Sequence, residues 1–204
     1  MSSTPTPATV QMLNLQLPTD PRWVNLAEMD LEEILTDHAY CEQKATTSCI
    51  SLVQGYPDYP DLVAEVAPVV TEEWGHFRMV LHELDKRGLK LGRQRKDEYV
   101  NGLMKHLRKG GGREAALLEK LLLCALIEAR SCERFRLLSL YCADEDLRQF
   151  YHKFMVAEAG HYVLFIELAR KYFDREVVDA RWAEFLAFEK EMLENMEVRG
   201  DRMH

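Results

Sequence analysis

The chain contains no Cys-x-x-Cys pair, and its cysteines, Cys41, Cys49, Cys124, Cys132 and Cys142, are odd in number. A disulfide framework, a structural zinc site and a rubredoxin-type iron centre are therefore not expected. Reduced thiols and a cytoplasmic location are the simple reading. No G-x-G-x-x-G fingerprint occurs, so the chain carries no nucleotide-binding turn of that kind. The longest apolar run, Leu121 to Ile127, is too short to span a membrane. No strand-length alternation of apolar and polar residues competes with the helical pattern. The N-terminal stretch is Ser, Thr and Pro, with no basic patch leading into an apolar segment. It does not read as a secretory signal, and residues 1–20 are expected to form a flexible arm.

What is present fits one globular domain. A length of 204 residues with 47% hydrophobic and 29% charged residues allows a single core over residues 21–204. The net charge is −8 but uneven. Between residues 86 and 113 stand ten basic residues, Lys86, Arg87, Lys90, Arg93, Arg95, Lys96, Lys105, Arg108, Lys109 and Arg113. Only Asp97 and Glu98 oppose them, so this stretch carries +8 and the remainder −16. An acidic chain with one concentrated basic segment can still bind a polyanion there.

Helical signals cover almost everything after residue 20. Asp30 is a good N-cap for a helix over 31–54, stopped by Gly55 and Pro57. A second helix is expected over 61–87, with Pro68 giving a kink or a later start. A short helix over 97–107 precedes the run Gly110-Gly111-Gly112. A third long helix spans 113–141, and Asp144 opens a fourth that reaches Tyr172. A fifth, over 177–198, carries Val178, Trp182, Phe185, Leu186 and Leu193 on one face. Two αα-hairpins, 30–88 and 113–173, joined by a basic crossover make an all-α, ferritin-like four-helix bundle with an added C-terminal helix.

The chemistry lies in a repeated motif. Glu73-Trp74-Gly75-His76 and Glu158-Ala159-Gly160-His161 are both Glu-x-x-His. With 22 glutamates and seven histidines, the motif alone is close to a chance occurrence. Its weight comes from two companions at matched distance: Glu42 precedes Glu73 by 31 residues and Glu128 precedes Glu158 by 30. Glu72 and Glu133 compete for these roles but break the internal symmetry. Residues three apart share a helix face, and Glu128 sits on an apolar face with Leu121, Cys124 and Phe135. A carboxylate there costs several kcal/mol unless something compensates it. Four carboxylates and two imidazoles suit two iron or manganese ions better than zinc. Cys124 and Cys132, one turn either side of Glu128, are expected to line the cavity. Gly75 and Gly160, each just before its histidine, suggest eased crowding or a helix bulge beside the metals. Asp37, Glu72 and Glu133 are candidate acceptors for the histidines' outer N–H groups. Arg130 and Arg134 either neutralise such carboxylates or lie on the surface.

Such a site serves oxygen-activating hydroxylases and desaturases, iron stores and peroxide-handling enzymes alike. A metal-free helical RNA-binding bundle is the non-enzymatic alternative. The +8 stretch favours a nucleic-acid substrate, since phosphate contacts position without reading sequence. Tyr99, Asn101 and His106, interleaved in it, are candidates to stack on or bond unpaired bases.

Four segments also resemble a known family. They are Asp37-His38-Ala39-Tyr40-Cys41-Glu42-Gln43-Lys44-Ala45, Glu73-x-x-His76-Phe77, Ile127-Glu128-Ala129-Arg130-Ser131-Cys132-Glu133-Arg134-Phe135 and Glu158-x-x-His161-Tyr162. The resemblance is to bacterial tRNA hydroxylases of the MiaE type and covers about residues 30–172. It implies a ferritin-like, non-haem di-iron monooxygenase, with two iron ions (Fe2+/Fe3+) as cofactor and O2 as co-substrate. The substrate it implies is the isopentenyl group of 2-methylthio-N6-isopentenyladenosine, next to the tRNA anticodon. The family's iron ligands fall on Glu42, Glu73, His76, Glu128, Glu158 and His161. Electrons are expected from an external reductase, and the protein is expected to be a monomer or weak dimer without membrane attachment.

Overall fold

The computed structural model describes residues 13–204, which contain helices and no strand. We number the helices α1 (Trp23–Glu28), α2 (Leu31–Gly55), α3 (Pro60–Lys86), α4 (Glu98–His106), α5 (Gly112–Tyr141), α6 (Glu145–Tyr172) and α7 (Arg175–Glu194). Helix α2 pairs with α3 and α5 with α6, so the two expected hairpins form the bundle. Their starts are chemically marked. Asp30 accepts from the Glu33 amide, Asp97 from that of Val100, and Asp144 from those of Asp146 and Leu147. Pro60 occupies the first turn of α3, where its missing N–H costs nothing. Pro68 is held inside that helix, so the later start expected from it does not occur. No helix among the described residues is long and apolar enough to cross a membrane.

The core is divided into two apolar layers. One gathers Leu52, Leu62, Val66, Leu121, Ala125, Phe165 and Ala169, and packs the α7 residues Val178, Trp182, Phe185 and Leu186. The other gathers Leu35, Ala39, Val80, Leu84, Leu138, Leu147 and Phe154. In α2, α3 and α6 the motif glutamate falls where the chain passes from one layer to the other; in α5, Glu128 lies within the first layer, which continues through Ala129 and Cys132.

One expectation needs correction, and one helix was not expected. The flexible arm proposed for residues 1–20 falls partly on residues 1–12, outside the described residues. Residues 13–20 are packed instead: Leu13 and Leu15 are buried, and Thr19 donates from N and Oγ1 to Glu133 at 2.7 Å each. The short helix α1, which no strong periodicity announces, buries Trp23, Val24 and Ala27.

Candidate metal centre and substrate approach

The six side chains singled out by spacing converge between the two apolar layers. Donor atoms of Glu42, Glu73, His76 and Glu158 lie within 4.8 Å of one another, as do those of Glu73, Glu128, Glu158 and His161. Glu73 and Glu158 belong to both groups, so the arrangement has two foci and two shared carboxylates. All six residues are 8% exposed or less. His76 Nδ1 lies 3.4 Å from Glu42, 3.6 Å from Glu73 and 3.6 Å from Glu158. His161 Nδ1 lies 2.8 Å from Glu73 and 3.1 Å from Glu158.

This cluster is electrostatically unfinished. Both Glu73 carboxylate oxygens, Glu158 Oε1, His76 Nδ1 and His161 Nε2 are buried without a hydrogen-bond partner, a condition that native interiors avoid. Burial, then the negative charge of Glu73, pushes the Glu42 carboxyl well up. Burial, then Glu158 and Glu73, does the same to Glu128. Burial also works against the charged Glu73, but the adjacent imidazoles of His161, at 2.8 Å, and His76, at 3.6 Å, hold it down at about 2. The two imidazoles are raised in return. Although burial opposes it, contact with Glu42 and Glu73 takes His76 to about 10, and Glu158 and Glu73 take His161 to about 11. Without metal, protons stand in for the missing positive charge. Hard oxygen donors around two foci, with one imidazole each, fit two hard-to-borderline divalent ions.

Outer contacts hold the cluster in place. His38 Nε2 is hydrogen-bonded to Glu42 Oε1 at 2.7 Å. The His38 ring is enclosed by Phe135, Phe150, Tyr151 and Phe154. His38 was not assigned this role from the sequence, though its i,i+4 spacing to Glu42 was the available signal. Of the three candidate outer carboxylates, only Glu72 reaches a histidine, lying 3.2 Å from His161 Nε2. Glu133 instead binds Thr19 and Arg130, and Asp37 accepts from the Met203 amide at 2.8 Å. Arg130 and Arg134 are not surface residues. Arg130 bridges Glu133 and Glu189, whereas Arg134 is buried 4.2 Å from the Trp23 ring centroid. Cys124 and Cys132 belong to neither donor group, and burial pushes both thiols up to about 12. Gly75 and Gly160 lie in regular helix with open space beside them. They therefore neither relieve crowding nor mark a bulge.

Two neighbouring hollows with shared walls lie between solvent and Glu128. An open hollow of about 500 Å³ is lined by Gln43, Thr47, Gln94, Lys96, Asn101 and Met104 among others. It shares Lys44, Ser48, Asp97 and Val100 with a narrower cavity of about 50 Å³. Ala45, Cys49, Cys124 and Ile127 wall that cavity, and Glu128 borders it.

The basic segment divides into two sets. Lys86 pairs with Asp146, Arg87 with Glu83 and Asp144, Arg95 with Glu33 and Asp201, Arg108 with Glu184, and Arg113 with Asp58. Lys90, Arg93, Lys96, Lys105 and Lys109 are exposed and form no ion pair among the described residues. Two of the aromatic candidates are also engaged. Tyr99 is buried and donates to Glu189 at 2.7 Å, and His106 stacks on Phe188 at 4.1 Å. Neither ring is free to stack on a base, whereas Asn101 is exposed.

The chain is similar to several known proteins. A family model described as MiaE, tRNA-(MS[2]IO[6]A)-hydroxylase, matches residues 6–204. The chain is 35% identical over 182 residues to the tRNA 2-(methylsulfanyl)-N(6)-isopentenyladenosine(37) hydroxylase of Pseudomonas putida, covering 89% of this chain and 87% of that one. It is 27% identical over 228 residues to the protein of the same name from Salmonella typhimurium, covering 88% and 83%. A solved structure described as a protein with aldehyde deformylating oxygenase activity from Synechococcus superposes with a TM-score of 0.87. It is 33% identical and covers 93% of this chain and 94% of its own.

Proposed function

The chain belongs to the MiaE family of tRNA hydroxylases, and we propose that it hydroxylates the isopentenyl group of 2-methylthio-N6-isopentenyladenosine beside the tRNA anticodon. The observation that carries this reading is a polar surface hollow, beside unpaired cations, that shares four wall residues with a small apolar cavity bordered by Glu128. A water-sized group needs roughly 10–15 Å³ of such space, so the inner cavity has room for a short branched hydrocarbon and not for a base. The outer hollow is wide enough for a base, and its Gln94 and Asn101 offer amide groups to a base edge. Lys90, Arg93, Lys96, Lys105 and Lys109 are the cations left to meet phosphates.

The residues that would hold two iron ions are Glu42, Glu73, His76, Glu128, Glu158 and His161. When bound, such a centre supplies activation of O2 with electrons from an external reductase. The protein's own part is orientation and exclusion. His38 and Glu72 orient Glu42 and His161 from outside. Ala45, Cys49, Cys124 and Ile127 keep the hydrocarbon end of the substrate away from water. A cytoplasmic, tRNA-linked role follows from the same reading.

The test is nucleoside mass spectrometry on tRNA from cells lacking the gene. The hydroxylated isopentenyl nucleoside should vanish and its unhydroxylated precursor accumulate. Unchanged levels of both would refute the assignment. Incubating the iron-loaded protein with a fatty aldehyde separates it from the activity named for the Synechococcus structure, since no deformylation should occur.

A further inference from the structure

Three donor residues outside the carboxylate cluster come together where no sequence motif announces them. Cys41 lies on α2, Asp97 caps α4, and His204 comes from the segment after α7. Their donor atoms all lie within 4.8 Å of one another. We propose that Cys41, Asp97 and His204 form a second metal site, specific for a borderline-soft divalent cation such as zinc, at the edge of the substrate cavity.

The geometry is ready for such an ion. Cys41 Sγ lies 3.9 Å from His204 Nδ1. A tetrahedral zinc with Zn–S of about 2.3 Å and Zn–N of about 2.0 Å separates sulfur and nitrogen by roughly 3.6 Å, so the pair needs only a slight closing. The imidazole is oriented from behind. Its Nε2 is hydrogen-bonded to Ser131 Oγ at 2.9 Å, which leaves Nδ1 turned toward Cys41. Its face stacks on Tyr99, with centroids 4.8 Å apart and planes inclined by 18°. An outer hydrogen bond fixing the free nitrogen is the usual support of a metal-bound histidine.

The surrounding segment is also held. Gly200 is packed so closely on the Leu26 backbone that no side chain fits there. Arg95 donates to the Asp201 carbonyl at 2.8 Å and its carboxylate at 2.9 Å, and the Met203 amide donates to Asp37. Asp97 uses Oδ1 to accept from Val100 at 2.9 Å, and its Oδ2 pairs with Lys44. In the metal-free protein the Lys44 ammonium supplies the positive charge at Asp97, and a bound cation displaces it. A hollow of about 200 Å³, bordered by Asp37, Asp97 and His204, offers the way in from solvent.

The donor set separates this site from the first. One sulfur, one nitrogen and one oxygen select zinc over iron, whereas the carboxylate cluster has no sulfur ligand. Cys41, Asp97 and His204 border the same small cavity as Glu128. An ion there narrows the approach to Glu128, which makes zinc an inhibitor; this half rests on the tRNA hydroxylase reading, and the binding half does not.

The test uses the iron-loaded full chain. Titration with Co(II) as the spectroscopic stand-in for zinc should give a thiolate-to-cobalt charge-transfer band at one equivalent, with both irons retained. Cys41→Ser should abolish the band, and His204→Ala should weaken cobalt and zinc binding at least tenfold. No band, a band that survives in Cys41→Ser, or uptake only by expulsion of iron would overturn the site. These readouts need no hydroxylase activity. For the inhibitory half, one equivalent of zinc should slow tRNA hydroxylation at least tenfold in the unmutated protein, while Cys41→Ser keeps its own zinc-free rate. An equal rate with and without zinc in the unmutated protein overturns that half.

Discussion

His38 Nε2 and Glu42 Oε1 are hydrogen-bonded at 2.7 Å inside a cage of four aromatic rings. Burial holds the His38 imidazole well below its usual range, so it is neutral and acts as a fixed neighbour rather than a counter-charge. Outer partners of this type are typically worth about 10–100-fold in metal affinity. His38→Ala should therefore retain the helical fold yet bind iron about 10–100-fold more weakly in a chelator competition. Unaltered affinity would show that Glu42 needs no such support.

Glu128 is expected to trade stability for metal. It is a buried carboxyl pushed well up by burial and by Glu158 and Glu73. Replacing such a group by an apolar one of similar size often stabilises by about 1–4 kcal/mol. Glu128→Leu should raise the unfolding midpoint of the metal-free protein in denaturant and abolish full iron loading. A lower midpoint in the metal-free state would contradict the electrostatic account.

The two imidazoles set the pH behaviour. His76 and His161 are raised to about 10 and about 11, against an ordinary value of 6.5. Their contribution to the stability of the metal-free protein is complete below pH 6.5. It is lost as pH rises through about 10–11. Denaturant unfolding of the metal-free protein should show this loss between pH 7 and 11, and the double variant His76→Gln, His161→Gln should flatten it. Iron binding must displace both protons, so loading in weakly buffered solution near pH 7 should acidify it by at least two protons per chain.

RNA binding should follow the unpaired cations and not the whole basic segment. Reversing Arg93, Lys96 and Lys105 should weaken tRNA binding and flatten its dependence on salt, by roughly one unit of log–log slope per phosphate contact removed. Iron content should be unchanged. Arg95→Glu places a like charge against Glu33 and Asp201, so it should lower thermal stability as well. If Arg95→Glu affected only RNA binding, its clasp would carry no structural weight.

The apolar cavity gives a steric prediction. Ala45→Phe fills a space of about 50 Å³ that borders Glu128. Hydroxylation should fall at least tenfold while two irons still load, as read by metal analysis and turnover on isopentenylated tRNA. Undiminished turnover would mean that the substrate reaches Glu128 by another way.

The helices and the six converging side chains were legible in the sequence because both depend on local spacing. Asp30, Asp97 and Asp144 mark helix starts within three residues of the amides they cap. Glu-x-x-His places two donors on one face by helix geometry alone, and the matched 30- and 31-residue distances bring their companions alongside through a hairpin. What depends on contacts across the chain was not legible. Five of ten basic residues proved to be committed to carboxylates as distant as Asp201, which no count of charge reveals. The packing of residues 13–20 depends on Thr19 meeting Glu133, 114 residues away, a contact that exists only in the folded chain. Most telling are Cys41, Asp97 and His204. Sequence spacing reveals only donors on neighbouring turns, and these three share no motif. Donors that are 56 and 107 residues apart become neighbours only when the segment after α7 folds back between α2 and α4. Local periodicity determined the bundle and its carboxylate centre; tertiary packing decided which charges stay free and which residues wall the cavity beside Glu128.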